Sequence, residues 1–140
     1  MRYLIDTNIF IFYATDADRL TRDVLAILDD WDNTIYISAA SVRELIIGYG
    51  KRGFDCSRWK TCEELVQSIE NEFHITIKPV AKEHMLTYSR LRINETQGHN
   101  DPSDHVIISH AITEGLPLMS SDSRFPFYTE QGLDLIQNRR

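Results

Sequence analysis

The 140-residue chain has few of the features that identify common protein classes. No apolar run approaches the roughly 20 residues needed to cross a bilayer, so no membrane span is expected. The only two cysteines, Cys56 and Cys62, lack metal-ligand spacing, and we interpret them as reduced thiols rather than a disulfide. The first residues have no signal-peptide layout, so we expect a cytoplasmic protein.

Positive charge is also scarce. The chain has 15 Lys and Arg residues against 21 Asp and Glu, which gives a formal net charge of −6. This balance is unlike the basic stripe of a general nucleic-acid binder. It does not exclude a nucleic-acid substrate, because a bound metal ion supplies positive charge that the count omits.

Several catalytic motifs are missing. No Gly-rich loop follows a predicted strand, so nucleotide-binding Rossmann and P-loop proteins are not indicated. The serines lack the G-x-S-x-G context of an α/β-hydrolase. The five histidines include no HExxH pair, and His105 and His110 would lie about 140° apart around a helix, so they give little support for a zinc site.

Apolar segments and helical patterns alternate along the chain, which predicts an α/β fold. Strands are predicted at residues 3–5, 34–37, 75–77 and 116–119, with a possible fifth at 133–136. Helices are predicted at residues 7–12, 21–31, 38–47, 61–73, 81–93 and 102–114, and residues 51–58 and 95–100 are predicted as loops. We therefore expect residues 1–140 to form one domain with a central parallel sheet of four to five strands flanked by helices.

Four acids stand at junctions between these elements, beside apolar runs. They are Asp6, Glu44, Asp104 and Asp122. Burying a lone charge is costly unless the charge is paired or binds a metal. Because ligands bind at the carboxyl ends of parallel strands, acids from separate segments can meet there. Their convergence would be best explained by a bound divalent cation.

Each acid also has a simpler structural explanation. Asp6 could cap the following helix, Glu44 could be solvated on a helix, and Asp122 could form a turn. Asp101 precedes a proline at the first helical position, so it is predicted as an N-cap. Asp104 then lies in the first helical turn, where capping alone does not explain it. One shared site accounts for all four positions at once, so we prefer it to four separate structural explanations.

Four segments, in order, resemble the motifs of PIN domains. They are residues 4–8, 38–44, 101–111 and 116–122. More narrowly, the chain is similar to small single-domain toxins of the VapC type, and the resemblance covers essentially the whole chain. The segment 49–61 is longer and more polar than in many relatives. This difference leaves open how a partner protein would bind, but it does not affect the expected chemistry.

The resemblance implies roles for individual residues. The metal-binding and catalytic acids of the family fall on Asp6, Glu44, Asp104 and Asp122. The polar residue that would orient the first carboxylate falls on Asn8, and the small hydroxyl before the last acid falls on Ser120. Asp101 matches the first acid of a frequent Asp-Pro-x-Asp form, as a cap or a neighbour of the metal ligands.

The implied activity is cleavage of RNA phosphodiester bonds by an endoribonuclease that uses Mg²⁺ or Mn²⁺, both of which favour oxygen ligands. We assign Asp6 and Asp104 to the principal metal ion, with Glu44 and Asp122 holding a second ion or positioning water. Candidates for contacts to the RNA backbone are Arg124, Arg43, Lys51 and Arg52. The resemblance also implies a toxin of a type II toxin–antitoxin pair, with a small antitoxin as partner and a homodimer as assembly.

A non-catalytic interaction module is the alternative hypothesis. It would be either a PIN fold retained for protein contacts or a Mg²⁺-binding receiver-like domain. A receiver needs an acceptor Asp after a middle strand and a Lys near the last strand, but Ser38 follows Ile37 and no Lys follows Lys82. A catalytically inactive PIN domain would be expected to have lost one of the four acids, and none is missing.

Overall fold

The computed structural model describes residues 1–139, in which strands and helices alternate. The strands are β1 (Arg2–Ile5), β2 (Thr34–Ser38), β3 (Thr76–Lys78), β4 (Leu118–Ser120) and β5 (Leu135–Gln137). The α-helices are α1 (Thr7–Thr15), α2 (Arg22–Asp29), α3 (Ala39–Gly48), α4 (Cys62–Asn71), α5 (Lys82–Arg90) and α6 (Pro102–Glu114). Short 3₁₀ helices cover Ala17–Arg19 and Phe125–Gln131.

The strands form one parallel sheet in the order β3-β2-β1-β4-β5, which confirms the predicted α/β fold. In the register, Ile5 at the end of β1 is opposite Ile37 and Met119. The residues that follow these three positions therefore lie at one edge of the sheet. Asp6 is one of them, and the backbone N–H of Asp6 donates to the carbonyl of Met119 at 2.9 Å.

Hydrophobic side chains fill both faces of the sheet, because alternate residues of a strand point in opposite directions. On β1, Tyr3 and Ile5 belong to the core cluster that includes buried residues of α1, α2, α3 and α4. Leu4 belongs to the other cluster, which contains Ile107 and Ile108 of α6. Burial on both faces explains why the strand sequences are continuously apolar rather than alternating.

Several element boundaries differ from the prediction. A helix was predicted over residues 21–31, but α2 ends at Asp29, and Trp31 lies outside the helix with 83% of its surface exposed. The reason is a turn: the N–H of Asn33 donates to the carbonyl of Asp30, so the chain leaves the helix before Trp31. Helix α5 ends at Arg90 rather than residue 93, and α1 continues to Thr15 rather than ending at residue 12.

Side chains cap the starts of three helices, and the N-cap predicted at Asp101 is confirmed. The Ser38 hydroxyl accepts the N–H of Ala40 at 3.1 Å, and the Asp101 carboxylate accepts the N–H of Ser103 at 3.0 Å. The Thr61 hydroxyl accepts the N–H of Glu64 at 3.1 Å. These caps fix the starts of α3, α4 and α6 by satisfying N–H groups that have no partner within the helix.

Two further expectations can be compared with the structure. Cys56 and Cys62 are free thiols, as predicted. Among residues 1–139, no helix has both the length and the apolar character needed to cross a bilayer.

Candidate metal centre at the carboxyl edge of the sheet

Asp6 lies directly after β1 and is held by two donors. It is the N-cap of α1: its Oδ1 accepts the N–H of Thr7 at 2.8 Å. Its Oδ2 accepts the hydroxyl of Ser120, the last residue of β4, at 2.8 Å. The side chain is therefore fixed by the pairing of β1 with β4, and only 4% of the residue is exposed.

Glu44 reaches the same place from α3. The hydroxyl of Thr7 donates to Glu44 Oε1 at 2.6 Å, so Thr7 contacts Asp6 through its backbone and Glu44 through its side chain. The N-cap at Ser38 sets where α3 begins, and Glu44 follows at the sixth position of that helix. Glu44 is half-buried.

Asp104 comes from the first turn of α6 and is held by a chain of buried hydrogen bonds. The N–H of Asn94 donates to the Tyr128 hydroxyl at 3.1 Å, and this hydroxyl lies 2.9 Å from Nδ1 of His99. Nε2 of His99 faces the Asp104 carboxylate, which accepts when ionised, so a neutral ring carries its proton on Nε2 while Nδ1 accepts the Tyr128 hydroxyl. Nε2 then donates to Asp104 Oδ2 at 2.9 Å. His99 therefore orients the Asp104 carboxylate.

Three carboxylates from three elements thus converge. Asp6, Glu44 and Asp104 each present an oxygen, and these oxygens lie within 4.8 Å of one another. Separations of this order allow several carboxylates to share one cation. Hard oxygen donors are also the ligands that Mg²⁺ and Mn²⁺ prefer.

Burial and mutual repulsion disfavour the ionised forms of these three carboxylates. Burial raises the pKa of Asp6 to about 7, and the charge of Asp104 adds to the rise, against the hydrogen bonds from Ser120 and Thr7. Burial also raises the pKa of Asp104 to about 7, with Asp101 as the next contribution. Burial likewise raises the pKa of Glu44. A divalent cation would supply the missing charge, so the residues fit a metal ion.

Asp122 lies beside this group but has a cationic partner of its own. Arg124 contacts both of its oxygens, with Nη2 2.7 Å from Oδ2 and Nε 3.0 Å from Oδ1. Burial acts to raise the pKa of Asp122, but the hydrogen bonds from Arg124 outweigh it and the pKa is lowered. An oxygen of Asp122 still lies within 4.8 Å of ligand atoms of Asp104 and His99. Asp122 therefore borders the group of three carboxylates on the side of Asp104.

Arg124 brings positive charge to the edge of the centre. Its Nη2 lies 3.7 Å from Asp104 Oδ2, and about a third of its side chain is exposed. The same guanidinium can therefore face both the acids and a molecule that approaches from solvent. Its anchor is Asp122, whose own N–H donates to the Ser120 hydroxyl at 3.1 Å.

Asn8 and Asp101 lie farther from the convergence. Asn8 is exposed, and within residues 1–139 its side chain forms no hydrogen bond with Asp6. The orienting contacts that the family pattern assigns to Asn8 come instead from Thr7 and Ser120. Asp101 caps α6, and its charge raises the pKa of Asp104. Asp101 therefore acts on the site through its electric field as well as through the helix.

Three residues of the site were not identified from the sequence. Thr7 lies between two residues that were singled out, and only the turn from β1 into α1 brings its hydroxyl to Glu44. His99 and Tyr128 meet across 29 residues of sequence. No spacing rule connects these positions, so only the tertiary structure reveals them.

A second group with potential metal ligands, His84, His110 and Glu114, lies between α5 and α6. Glu114 Oε2 is 2.8 Å from Nε2 of both rings, although His110 Nε2 lacks hydrogen-bond geometry. Nδ1 of His84 accepts the N–H of Ala81 at 2.8 Å, so the proton of a neutral His84 ring is on Nε2 and donates to Glu114. Lys78 lies 2.8 Å from the other oxygen of Glu114. These contacts favour a hydrogen-bonded ion cluster over a zinc site.

Comparisons with known proteins agree with this geometry. The family model described as PIN domain matches residues 3–129. A search among curated proteins found no match.

Three solved structures illustrate the structural similarity. A chain in the structure of VapBC2 from Rickettsia felis bound to a DNA fragment from their promoter is 24% identical, with 99% of each chain covered and a TM-score of 0.69. A chain of VapBC-1 from nontypeable Haemophilus influenzae is 20% identical, with 98% of each chain covered and a TM-score of 0.64. A chain of FitAcB from Neisseria gonorrhoeae is 21% identical, with 97% of this chain and 96% of that chain covered and a TM-score of 0.64. At these identities the likeness demonstrates a shared fold.

Proposed function

Because the chain belongs to the PIN domain family, we propose that it is a metal-dependent endoribonuclease and the toxin of a type II toxin–antitoxin pair. The observation that carries the proposal is the convergence of Asp6, Glu44 and Asp104 on one point at the carboxyl edge of the sheet. PIN domains are generally nucleases, and the burial that raises the pKa values of Asp6 and Asp104 makes a cation a favourable partner for these acids.

In this proposal Asp6, Glu44 and Asp104 hold Mg²⁺ or Mn²⁺. When bound, such an ion lowers the pKa of a coordinated water, orients the scissile phosphate and stabilises charge on the leaving oxygen. From the sequence, Glu44 was assigned to a second ion or to positioning water. Its distances group it with Asp6 and Asp104, so we propose it as a ligand of the principal ion. A second ion near Asp122 would compete with Arg124 for the same carboxylate.

The surrounding residues hold the carboxylates in position. Ser120 and Thr7 fix the two oxygens of Asp6, and His99 fixes one oxygen of Asp104. Such contacts orient ligands that would otherwise rotate, and their loss typically weakens metal binding or activity by 10- to 100-fold. The buried position of Asp6 and His99 also limits the access of bulk water to one side of the site.

We propose that Arg124 contacts a phosphate of the RNA. Its guanidinium is anchored by Asp122 yet partly exposed, so it can approach a phosphate oxygen next to the carboxylates. Arg43, Lys51 and Arg52 are exposed and are further candidates for the backbone contacts that set RNA position. The net charge of −6 makes these local cations more important for binding an anionic substrate.

The partner in this proposal is a small antitoxin. The similar structures from Rickettsia felis and Haemophilus influenzae are described as VapBC assemblies, and another similar chain comes from a toxin–antitoxin complex of Klebsiella pneumoniae. A basic antitoxin segment would be favoured electrostatically by the charge of −6, chiefly in association rate and specificity. We also propose a homodimer as the assembly of the toxin.

The test of the enzymatic proposal is an RNase assay on the purified protein after dialysis against EDTA. We expect no cleavage without metal, recovery with Mg²⁺ or Mn²⁺, and loss of activity in Asp6→Asn and Asp104→Asn. Asp134→Asn is the matched control, because Asp134 is an exposed acid outside the site. Cleavage that survives chelation, or that persists in both site variants, would refute the metal mechanism. Absence of cleavage with every metal tested would instead favour the non-catalytic interaction module.

The partner is tested separately by co-expression with the adjacent gene. A toxin should co-purify with the neighbouring gene product, and its growth inhibition should be relieved. If cleavage is metal-dependent but no complex forms and no toxicity is relieved, the protein is a stand-alone nuclease and the toxin assignment is wrong.

A further inference from the structure

A cavity of about 520 Å³ lies at the end of the sheet opposite the acidic centre. It borders Thr34 and Ile35, the first two residues of β2, and the ends of α2 and α4. All strands run parallel, so the amino ends of the strands and Asp6 lie on opposite sides of the fold. We refer to this cavity as the distal pocket. It is independent of the proposed nuclease site.

Aromatic rings form the walls of the distal pocket. The rings of Trp31 and His74 lie 5.1 Å apart, and those of Tyr13 and Phe73 lie 5.8 Å apart. Trp31 is 83% exposed, the largest exposed fraction among the large hydrophobic side chains of residues 1–139. The π-faces of aromatic rings attract cations, most strongly in the case of tryptophan.

Three carboxylates also line the distal pocket, at the C-terminal ends of helices, where negative charge is unfavourable. Asp29 is the last residue of α2, Asp30 is its C-cap, and Glu72 is the C-cap of α4. A helix C-terminus carries partial negative charge, so acids there are destabilising and bases are favourable. Neither helix has a basic residue in its last turn. Two helix ends and three acids therefore create a negative potential that a cation would relieve.

Two residues that line the distal pocket, Glu72 and Phe73, already contact a guanidinium. Arg58 lies 2.6 Å from Glu72 and stacks over Phe73 at 5.0 Å from the ring centroid. Asp29 and Asp30 line the same pocket, and among residues 1–139 no Lys or Arg forms an ion pair with them. Asp29 accepts the Tyr13 hydroxyl through Oδ1, and Asp30 accepts a backbone N–H through Oδ1. Within residues 1–139, the second oxygen of each of these two acids has no donor.

We propose that the distal pocket binds an arginine side chain presented by a partner protein. The planar guanidinium can stack on Trp31 while its N–H groups donate to the free oxygens of Asp29 and Asp30, as Arg58 does with Phe73 and Glu72. A partner protein fits better than a free amine, because Trp31 is 83% exposed and a protein surface would bury more of it than a small amine would. Exposed tryptophans of this kind commonly become anchors of protein interfaces.

The test is an NMR titration of the two tryptophan indole N–H signals. Trp59 serves as the internal reference, because it is 5% exposed and its indole N–H donates to Ser68 at 3.0 Å. The probe is a capped glycine-serine peptide with one central arginine. The matched probe is the same peptide with citrulline, which keeps the shape and removes the charge. A Trp31→Phe variant assigns the signals.

We expect a saturable shift of the Trp31 signal, no shift of the Trp59 signal, and binding of the citrulline peptide weaker by about tenfold or more. The double variant Asp29→Asn, Asp30→Asn should lose the same factor, whereas Glu83→Gln, an exposed acid on α5, should not. Equal binding of both peptides, or no Trp31 shift at millimolar peptide, would overturn the proposal. Equal binding of spermidine would overturn the choice of a partner protein. None of these outcomes depends on nuclease activity.

Discussion

Substitution of Asp6 by Asn should stabilise the metal-free protein in a manner that depends on pH. The pKa of Asp6 is about 7 in the folded state against 3.8 for an ordinary Asp, chiefly because of burial. A raised folded pKa means that the folded state holds an extra proton between these values. Stability is therefore greatest below about pH 4 and is lost as the pH rises towards 7. Above about pH 7 the full cost is present.

The magnitude follows from the size of the shift. A change from 3.8 to about 7 is roughly three pKa units, which corresponds to about 4 kcal/mol of destabilisation above pH 7. Asn removes the charge but accepts more weakly from Thr7, which offsets about 1–2 kcal/mol. Its amide can donate to Ser120 Oγ, which has a second lone pair. We expect Asp6→Asn to be more stable than wild type by about 2 kcal/mol at pH 8, and to match it near pH 5.

The assay is urea unfolding of EDTA-dialysed protein across this pH range, with Asp134→Asn as the control at an exposed acid. Added Mg²⁺ should then reverse the order, since a ligand of the folded state stabilises by about 2.7 kcal/mol at a hundred times its Kd. Asp6→Asn should gain much less from Mg²⁺. The reasoning fails if wild-type stability is flat between pH 5 and 8, or if Asp6→Asn is the less stable protein at pH 8.

Three other substitutions test the surroundings of the acids. His99→Phe keeps a ring but removes the hydrogen bonds to Asp104 and Tyr128. Urea unfolding should therefore report a loss of stability of about 1–3 kcal/mol, and the RNase rate should fall 10- to 100-fold. An RNase rate equal to that of wild type would exclude an orienting role for His99. Arg124→Gln should weaken RNA binding and reduce the slope of log affinity against log salt by about one, measured by fluorescence anisotropy, and an unchanged slope would exclude a phosphate contact. Asp101→Asn should retain most of the RNase activity because Asn is an equally good cap, and a loss as large as that of an Asp104 variant would place Asp101 among the ligands.

The class of fold and the positions of most elements could be predicted from the amino-acid sequence. Continuous apolar segments separated by helical patterns predict a buried parallel sheet, and the five-stranded sheet confirms this. Caps were also predictable, because Ser38 and Asp101 act within two residues of themselves. The error at Trp31 arose because its spacing continues the helical pattern of α2, while hydrogen bonding around Asp30 ends the helix earlier.

The sequence also singled out the acids that the fold brings together at Asp6, Glu44 and Asp104, since carboxylates beside apolar strands are costly without a partner. It did not determine the charge environment of each acid. Asp122 was assigned with Glu44 to a second ion or to positioning water, but its contact with Arg124 lowers its pKa, while burial raises the pKa of Asp6. The difference depends on distances across the fold that no local pattern encodes.

Tertiary structure alone decided the contacts that hold the site and the existence of the distal pocket. Thr7 reaches Glu44 across 37 residues of sequence, and Ser120 reaches Asp6 across 114. The pocket depends on two helices ending side by side, so that Asp30 and Glu72 face the same space. Local sequence fixes backbone conformation and burial through near-neighbour forces. The position of one carboxylate relative to another depends on how whole helices pack against the sheet.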